Sequence, residues 1–107
     1  MIFKNSQAIP VEMLPGLTRK TLACGDTLMI CEFTFKANVE IPIHTHPHEQ
    51  VGYIVSGKVI MRINGNEFEL TTGDSYNAPS NIPHGALTLE PTVIVDTFTP
   101  PREDYRS

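Results

Sequence analysis

The dipeptide Asn64-Gly65 limits what this chain can fold into more tightly than any other feature. Both residues tolerate the positive φ of a two-residue type I′ turn, the turn that joins adjacent antiparallel strands. Residues 59–63 before it form an apolar, β-branched run, and Phe68 and Leu70 alternate with charged residues after it. The same period of two recurs upstream, where Met29, Cys31, Phe33 and Phe35 alternate with Ile30, Glu32, Thr34 and Lys36. Residues 51–55 form another apolar run, closed by Ser56-Gly57-Lys58, and Thr72-Gly73-Asp74 marks a further turn. Residues 75–78, 85–89 and 92–98 supply the remaining strands, whereas residues 1–16 are mixed and interrupted by Pro10 and Pro15. No stretch sustains the 3.6-residue apolar period of a helix. Short strands with turns at short intervals predict an all-β barrel or sandwich.

With 107 residues, no internal repeat and no linker-like segment, the expectation is a single domain over residues 1–107. A net charge of −4 and a pI near 5.4 argue against nucleic acid or an anionic membrane surface as partner. The start lacks a basic segment followed by an apolar one, and no apolar run reaches about 18 residues. A cytoplasmic location is expected. Cys24 and Cys31 are seven apart in strand-like sequence and read as buried free thiols, with no chelating neighbour beside either.

Chemistry concentrates in residues 44–57, HTHPHEQVGYIVSG, which hold three of the four histidines. On an extended strand His44 and His46 share a face, and Gln50 has the same parity if the strand continues past Pro47. His84, in PSNIPHG, would arrive from a distant strand. Three imidazoles and an amide oxygen make a plausible shell for one divalent ion, and zinc, nickel, iron and manganese all suit that donor set. A His-x-His pair by itself also occurs as ordinary surface polarity, so the spacing of the whole pattern carries the reading.

That spacing resembles the cupin superfamily. Its first motif runs Gly, five residues, His-x-His, three or four residues, Glu, six residues, Gly; Asn38, His44, His46, Gln50 and Gly57 occupy those places. Its second motif is matched by Gly73, Pro79, Asn81, His84 and Thr88. The departures are Asn for Gly at 38 and 81, Gln for Glu at 50, and Thr for Asn at 88. Asparagine also visits the left-handed region, so the first two are mild. Glu49 fits neither motif spacing and points to the opposite face of a regular strand, which favours Gln50 as the fourth ligand. An uncharged shell leaves the full positive charge on the ion, suited to an anionic, oxygen-rich substrate.

Within the cupins, HTHPHEQVGYIVSG, GDSYNAPSNIPHG and DTFTPPREDY resemble the KdgF-type proteins of pectin and alginate breakdown. The resemblance implies a jelly-roll barrel, a homodimer, and ring opening of 4,5-unsaturated uronate monosaccharides to linear keto products. It places metal ligands at His44, His46, Gln50 and His84, and further active-site residues at Asp96, Phe98 and Arg102. The pattern TVIVDTF independently puts Ile94, Asp96 and Phe98 on one strand face. A carboxylate between two apolar neighbours is functional, paired with a cation, or at an exposed edge. The planar fork of Arg102 suits a substrate carboxylate, and a solvated tail residue is its plainer alternative. His48 reads as a supporting or surface residue; Tyr53 and Tyr76 could line the pocket or pack between the sheets, and core packing is the reading preferred for both. Rival readings on the same barrel are a non-catalytic sugar-acid or metal binder and a metal-dependent oxygenase or lyase.

Overall fold

The computed structural model describes residues 1–106. Its strands are β1 (Val11–Leu14), β2 (Leu17–Cys24), β3 (Met29–Phe35), β4 (Glu40–His44), β5 (Glu49–Ser56), β6 (Lys58–Ile63), β7 (Asn66–Thr71), β8 (Ser75–Ala78), β9 (His84–Thr88) and β10 (Thr92–Thr99). They build a six-stranded sheet in the order β1-β2-β3-β10-β5-β8 and a four-stranded sheet in the order β4-β9-β6-β7. Every pairing is antiparallel. This is the all-β jelly-roll barrel expected from the sequence. Helix is confined, among the described residues, to two single 3₁₀ turns, Asn5–Gln7 and Glu103–Tyr105. Among the described residues, no helix is long and apolar enough to cross a membrane.

The period-two reading decides which side chains face inward. On β3, Met29, Cys31, Phe33 and Phe35 are buried, and on β10 Ile94, Asp96 and Phe98 are buried while Val93, Val95 and Thr97 lie on the outer face. Val59, Met61 and Ala86 close the core from the other sheet. Burying a side chain the size of Phe98, Met29 or Ile54 is worth about 1.5–3 kcal/mol each. Asn64 and Gly65 both have positive φ, 50° and 82°, and Ile63 pairs with Asn66 across the turn they make.

Two expectations need correction. Residues 11–14, read as part of a mixed segment, form β1 at the edge of the larger sheet. Four residues are too few to show an alternation, and Pro10 and Pro15 flank the strand at an edge where a missing donor costs nothing. Cys24 is exposed and only Cys31 is buried; both are free. The β2–β3 hairpin projects beyond the barrel, so residues 23–28 at its tip are all exposed.

Candidate active site

The three histidines meet because the two sheets meet. His44 ends β4 and pairs with His84, the first residue of β9, as its cross-strand neighbour. β4 stops there; residues 45–48 form the passage to β5 in the other sheet, and His46 projects from that passage. The continuous strand anticipated for His44, His46 and Gln50 is therefore broken, although all three still converge. The passage is clamped to the loop before β9: the Asn81 amide donates to the His46 carbonyl at 2.9 Å, and Ser80 Oγ donates to the Pro47 carbonyl at 2.6 Å.

One ring nitrogen from each of His44, His46 and His84 can be chosen so that all lie within 4.8 Å of one another. The second nitrogen of each ring is engaged. Nδ1 lies 2.9 Å from the carbonyl of Pro42 for His44, of His48 for His46, and of Ile82 for His84. A carbonyl accepts only, so each Nδ1 carries the hydrogen and each neutral ring presents an Nε2 lone pair. Burial pushes the pKa of both His46 and His84 below the usual histidine range, which favours the neutral form. His84 Nε2 is buried without a hydrogen-bond partner. His48 contributes its backbone carbonyl to orienting His46 rather than a ring to the cluster.

Gln50 stands beside this cluster, and Glu49 does not. Gln50 is 8% exposed and its Oε1 lies 3.1 Å from His46 Nε2. With His46 holding its hydrogen on Nδ1, two lone pairs face each other there, an arrangement that a cation relieves. Glu49 is exposed and accepts from Asn77 Nδ2 at 3.3 Å. The orphaned His84 nitrogen and the four converging donors fit a divalent ion of the nitrogen- and oxygen-preferring kind.

Asp96 reaches the same cavity from β10. It pairs with Gly52 of β5, which in turn pairs with Tyr76 of β8. A methyl group on Gly52 would collide with both the Asp96 carboxylate and the Tyr76 ring, so the glycine leaves the room in which they meet. Tyr76 donates its hydroxyl hydrogen to Asp96 Oδ1 at 2.5 Å and accepts from Gln50 Nε2 at 2.6 Å. Burial raises the Asp96 pKa to about 7 despite the opposing effects of the Tyr76 and Gln50 hydrogen bonds and the Arg102 charge. Burial, reinforced by the negative charge of Asp96, also holds Tyr76 well above its usual range and keeps its hydroxyl protonated.

A cavity of about 340 Å³ joins these groups, lined on its polar side by His44, Gln50, Tyr76, His84, Asp96 and Arg102. Phe98, 1% exposed, forms part of its wall. The tail folds back rather than trailing into solvent: Tyr105 packs edge-on against Phe33 and Phe98, and the Arg102 guanidinium lies 4.0 Å from the centre of the Tyr105 ring. Arg102 is paired through Nε and Nη2 with Asp104, at 3.3 and 3.0 Å. Six of the seven residues singled out in the sequence thus line one cavity, and the seventh, His46, touches it through His44, His84, Gln50 and Phe98. Tyr76 both packs against the core and lines the cavity, as the sequence allowed, but its hydrogen bonds to Asp96 and Gln50 and the part of Gly52 were not anticipated; the two-residue parity shared by Gln50 and Gly52 was the available signal. Tyr53, also read as core, is exposed on the outer face of β5.

Residues 31–98 match the cupin-domain family pattern. The chain belongs to the cupin family. Among characterised relatives, this cupin is 37% identical over 97 residues to the pectin degradation protein KdgF of Dickeya dadantii, covering 88% of this chain and 87% of that one. It is 34% identical to an H2HPP isomerase of Bacillus subtilis, of which it spans only 44%. Among solved structures, KdgF from Halomonas sp. superposes with a TM-score of 0.92 at 33% identity, over 97% of this chain and 96% of that one. An RmlC-like cupin from Shewanella frigidimarina gives 0.93 at 33% identity, over 97% and 94%.

The motif departures have local explanations. Asn38 and Asn81, at motif glycines, have φ of 61° and 62°. Thr88 is fully buried; its hydroxyl donates to the Lys36 carbonyl at 2.7 Å and accepts from the Val39 amide at 3.0 Å, tying down the β3–β4 loop.

Proposed function

We propose that this cupin linearises 4,5-unsaturated uronate monosaccharides released by pectin or alginate lyases, giving the linear 5-keto-4-deoxyuronate. The observation that carries this reading is the placement of a buried carboxyl, Asp96, in one cavity with Gln50, a guanidinium and two histidines, His44 and His84, of the three that cluster together. Likeness to two KdgF proteins, one named for pectin degradation, supports the substrate class.

The substrate is a cyclic hemiacetal whose ring oxygen also belongs to an enol ether. Removing the proton of the anomeric hydroxyl breaks the bond between the anomeric carbon and the ring oxygen, giving an aldehyde and an enolate at C5, and a proton delivered to C4 completes the keto product. Asp96 takes the first proton and returns one to C4; a pKa of about 7 equips one carboxyl to do both near neutrality. His44, His46, Gln50 and His84 would hold a divalent ion, which supplies Lewis-acid stabilisation of negative charge developing on substrate oxygens. Arg102 engages the substrate carboxylate, exchanging it for that of Asp104. Phe98 presents a flat apolar wall to the sugar ring. Tyr105, stacked against Arg102, lines the cavity beside it.

Running the reaction in deuterated water and recording the proton spectrum of the product tests this chemistry. One deuterium incorporated at C4 of a linear keto acid is expected; an unchanged ring or an oxidised product would contradict it. A purely binding cupin would give the first of these and an oxygenase the second.

Within this reading the protein works in the cytoplasm on a free monosaccharide, without nucleic acid or membrane partners. A homodimer is part of the same proposal. The exposed row Val51, Tyr53 and Val55 on the outer face of β5 is the apolar surface it would cover.

A further inference from the structure

Tyr76 lies outside every residue set that the motifs supply, yet it joins the two halves of the site. A phenol hydroxyl has one hydrogen to give. Here that hydrogen goes to Asp96 Oδ1, and the same oxygen accepts from Gln50 Nε2. Residue 50 must therefore donate at its Tyr76 end. An amide can donate there and still present an acceptor at its other end, and Gln50 Oε1 is turned to His46 Nε2 at 3.1 Å. A carboxylate at this position would point a lone pair at an oxygen whose hydrogen is already committed to Asp96. Glutamine standing where the first cupin motif carries glutamate acquires a physical reason from this geometry.

We propose that Tyr76 is a positioning residue tying the ligand Gln50 to the proton-transferring Asp96, and that the direction of this hydrogen-bond chain requires an amide at position 50. Removing the hydroxyl frees the Gln50 amide to rotate, so its oxygen is no longer held toward the histidines. Gly52 makes the chain possible, because any side chain there would occupy the space in which Tyr76 and Asp96 meet. The proposal rests on the ligand and proton-transfer roles given above, so its test includes a readout that does not need turnover.

Tyr76→Phe deletes the hydroxyl and keeps the ring. Titrating metal-free protein with Co²⁺ and following the visible absorption of the bound ion should show about tenfold weaker binding and an altered spectrum. With uronate as substrate, the same variant should lose about tenfold or more in kcat, with KM changed by less than about twofold. Gln50→Glu separates the two ends of the chain. It should still bind Co²⁺ while losing about tenfold or more in kcat, because the donor toward Tyr76 is gone. Wild-type Co²⁺ affinity and spectrum in Tyr76→Phe would overturn the positioning role, and wild-type kcat in Gln50→Glu would overturn the requirement for an amide. Should the unaltered protein fail to turn over uronates, the proposed reaction falls, but the Co²⁺ titration still decides whether Tyr76 holds Gln50.

Discussion

The Tyr76 hydroxyl meets Asp96 Oδ1 at 2.5 Å in the space left open by the missing side chain of Gly52. The three residues stand side by side on β8, β10 and β5, with Gly52 as the cross-strand partner of both others. Gly52→Ala forces a methyl group into that contact. A stability loss of about 1–3 kcal/mol is expected from overpacking, together with a fall in turnover larger than the fall in substrate affinity. Denaturant unfolding and steady-state kinetics on the same preparation check both.

Asp96→Asn should retain its metal and lose turnover by at least about a hundredfold, within the range that general acid–base groups contribute. Elemental analysis beside kinetics is the measurement. A variant with near-normal kcat would remove Asp96 from the proton transfer.

Asp96 also makes the stability of the metal-free protein depend on pH, and the sign can be worked out. Its carboxyl titrates near 3.9 in an unfolded chain and at about 7 when folded. Between those values the unfolded chain releases the proton and the folded one keeps it. The folded state then binds more protons, so stability falls as pH rises through this window and levels off above it. The melting temperature of metal-free wild type, relative to metal-free Asp96→Asn, should therefore decline from about pH 4 to about pH 7. A difference that is flat or rises across the window would contradict the buried, protonated carboxyl.

Metal should stabilise the fold through the histidines. An ion present at about a hundred times its dissociation constant adds about 2.7 kcal/mol, so chelation should lower the melting temperature by several degrees. His84→Ala should abolish that difference, since it removes the ligand nitrogen that is buried without a hydrogen-bond partner. Thermal melts with and without chelator read it directly.

Arg102→Lys should raise KM for the uronate by about tenfold, because an ammonium cannot reproduce the two parallel hydrogen bonds of a guanidinium fork. A lysine variant with wild-type KM would place the substrate carboxylate elsewhere.

The barrel was legible because its strands face solvent on one side and core on the other. On β3 and β10 that asymmetry writes a period of two directly into the residue order. β1 was hidden because four residues at a sheet edge carry too little alternation, and Cys24 because a projecting hairpin tip has no inside. The residues read as ligands come together despite the break in their strand: parity places residues within one strand, and His46 stands beyond the end of β4. Its position depends on the clamp from Asn81 and Ser80, a contact between distant loops that no local pattern records. The hydrogen bonds of Tyr76 were hidden for the same reason. Its hydroxyl partners lie 26 and 20 residues away, and the glycine that admits them leaves no chemical signature of its own.

The most direct test follows the ultraviolet absorbance of the unsaturated uronate, which arises from its conjugated double bond and disappears on conversion. Monosaccharide released by a pectin or alginate lyase is mixed with metal-replete protein and, in parallel, with chelated protein. Rapid loss of absorbance with the replete sample alone, yielding a linear keto acid, is the expected result. Equal rates with replete protein, chelated protein and buffer would contradict the proposed reaction.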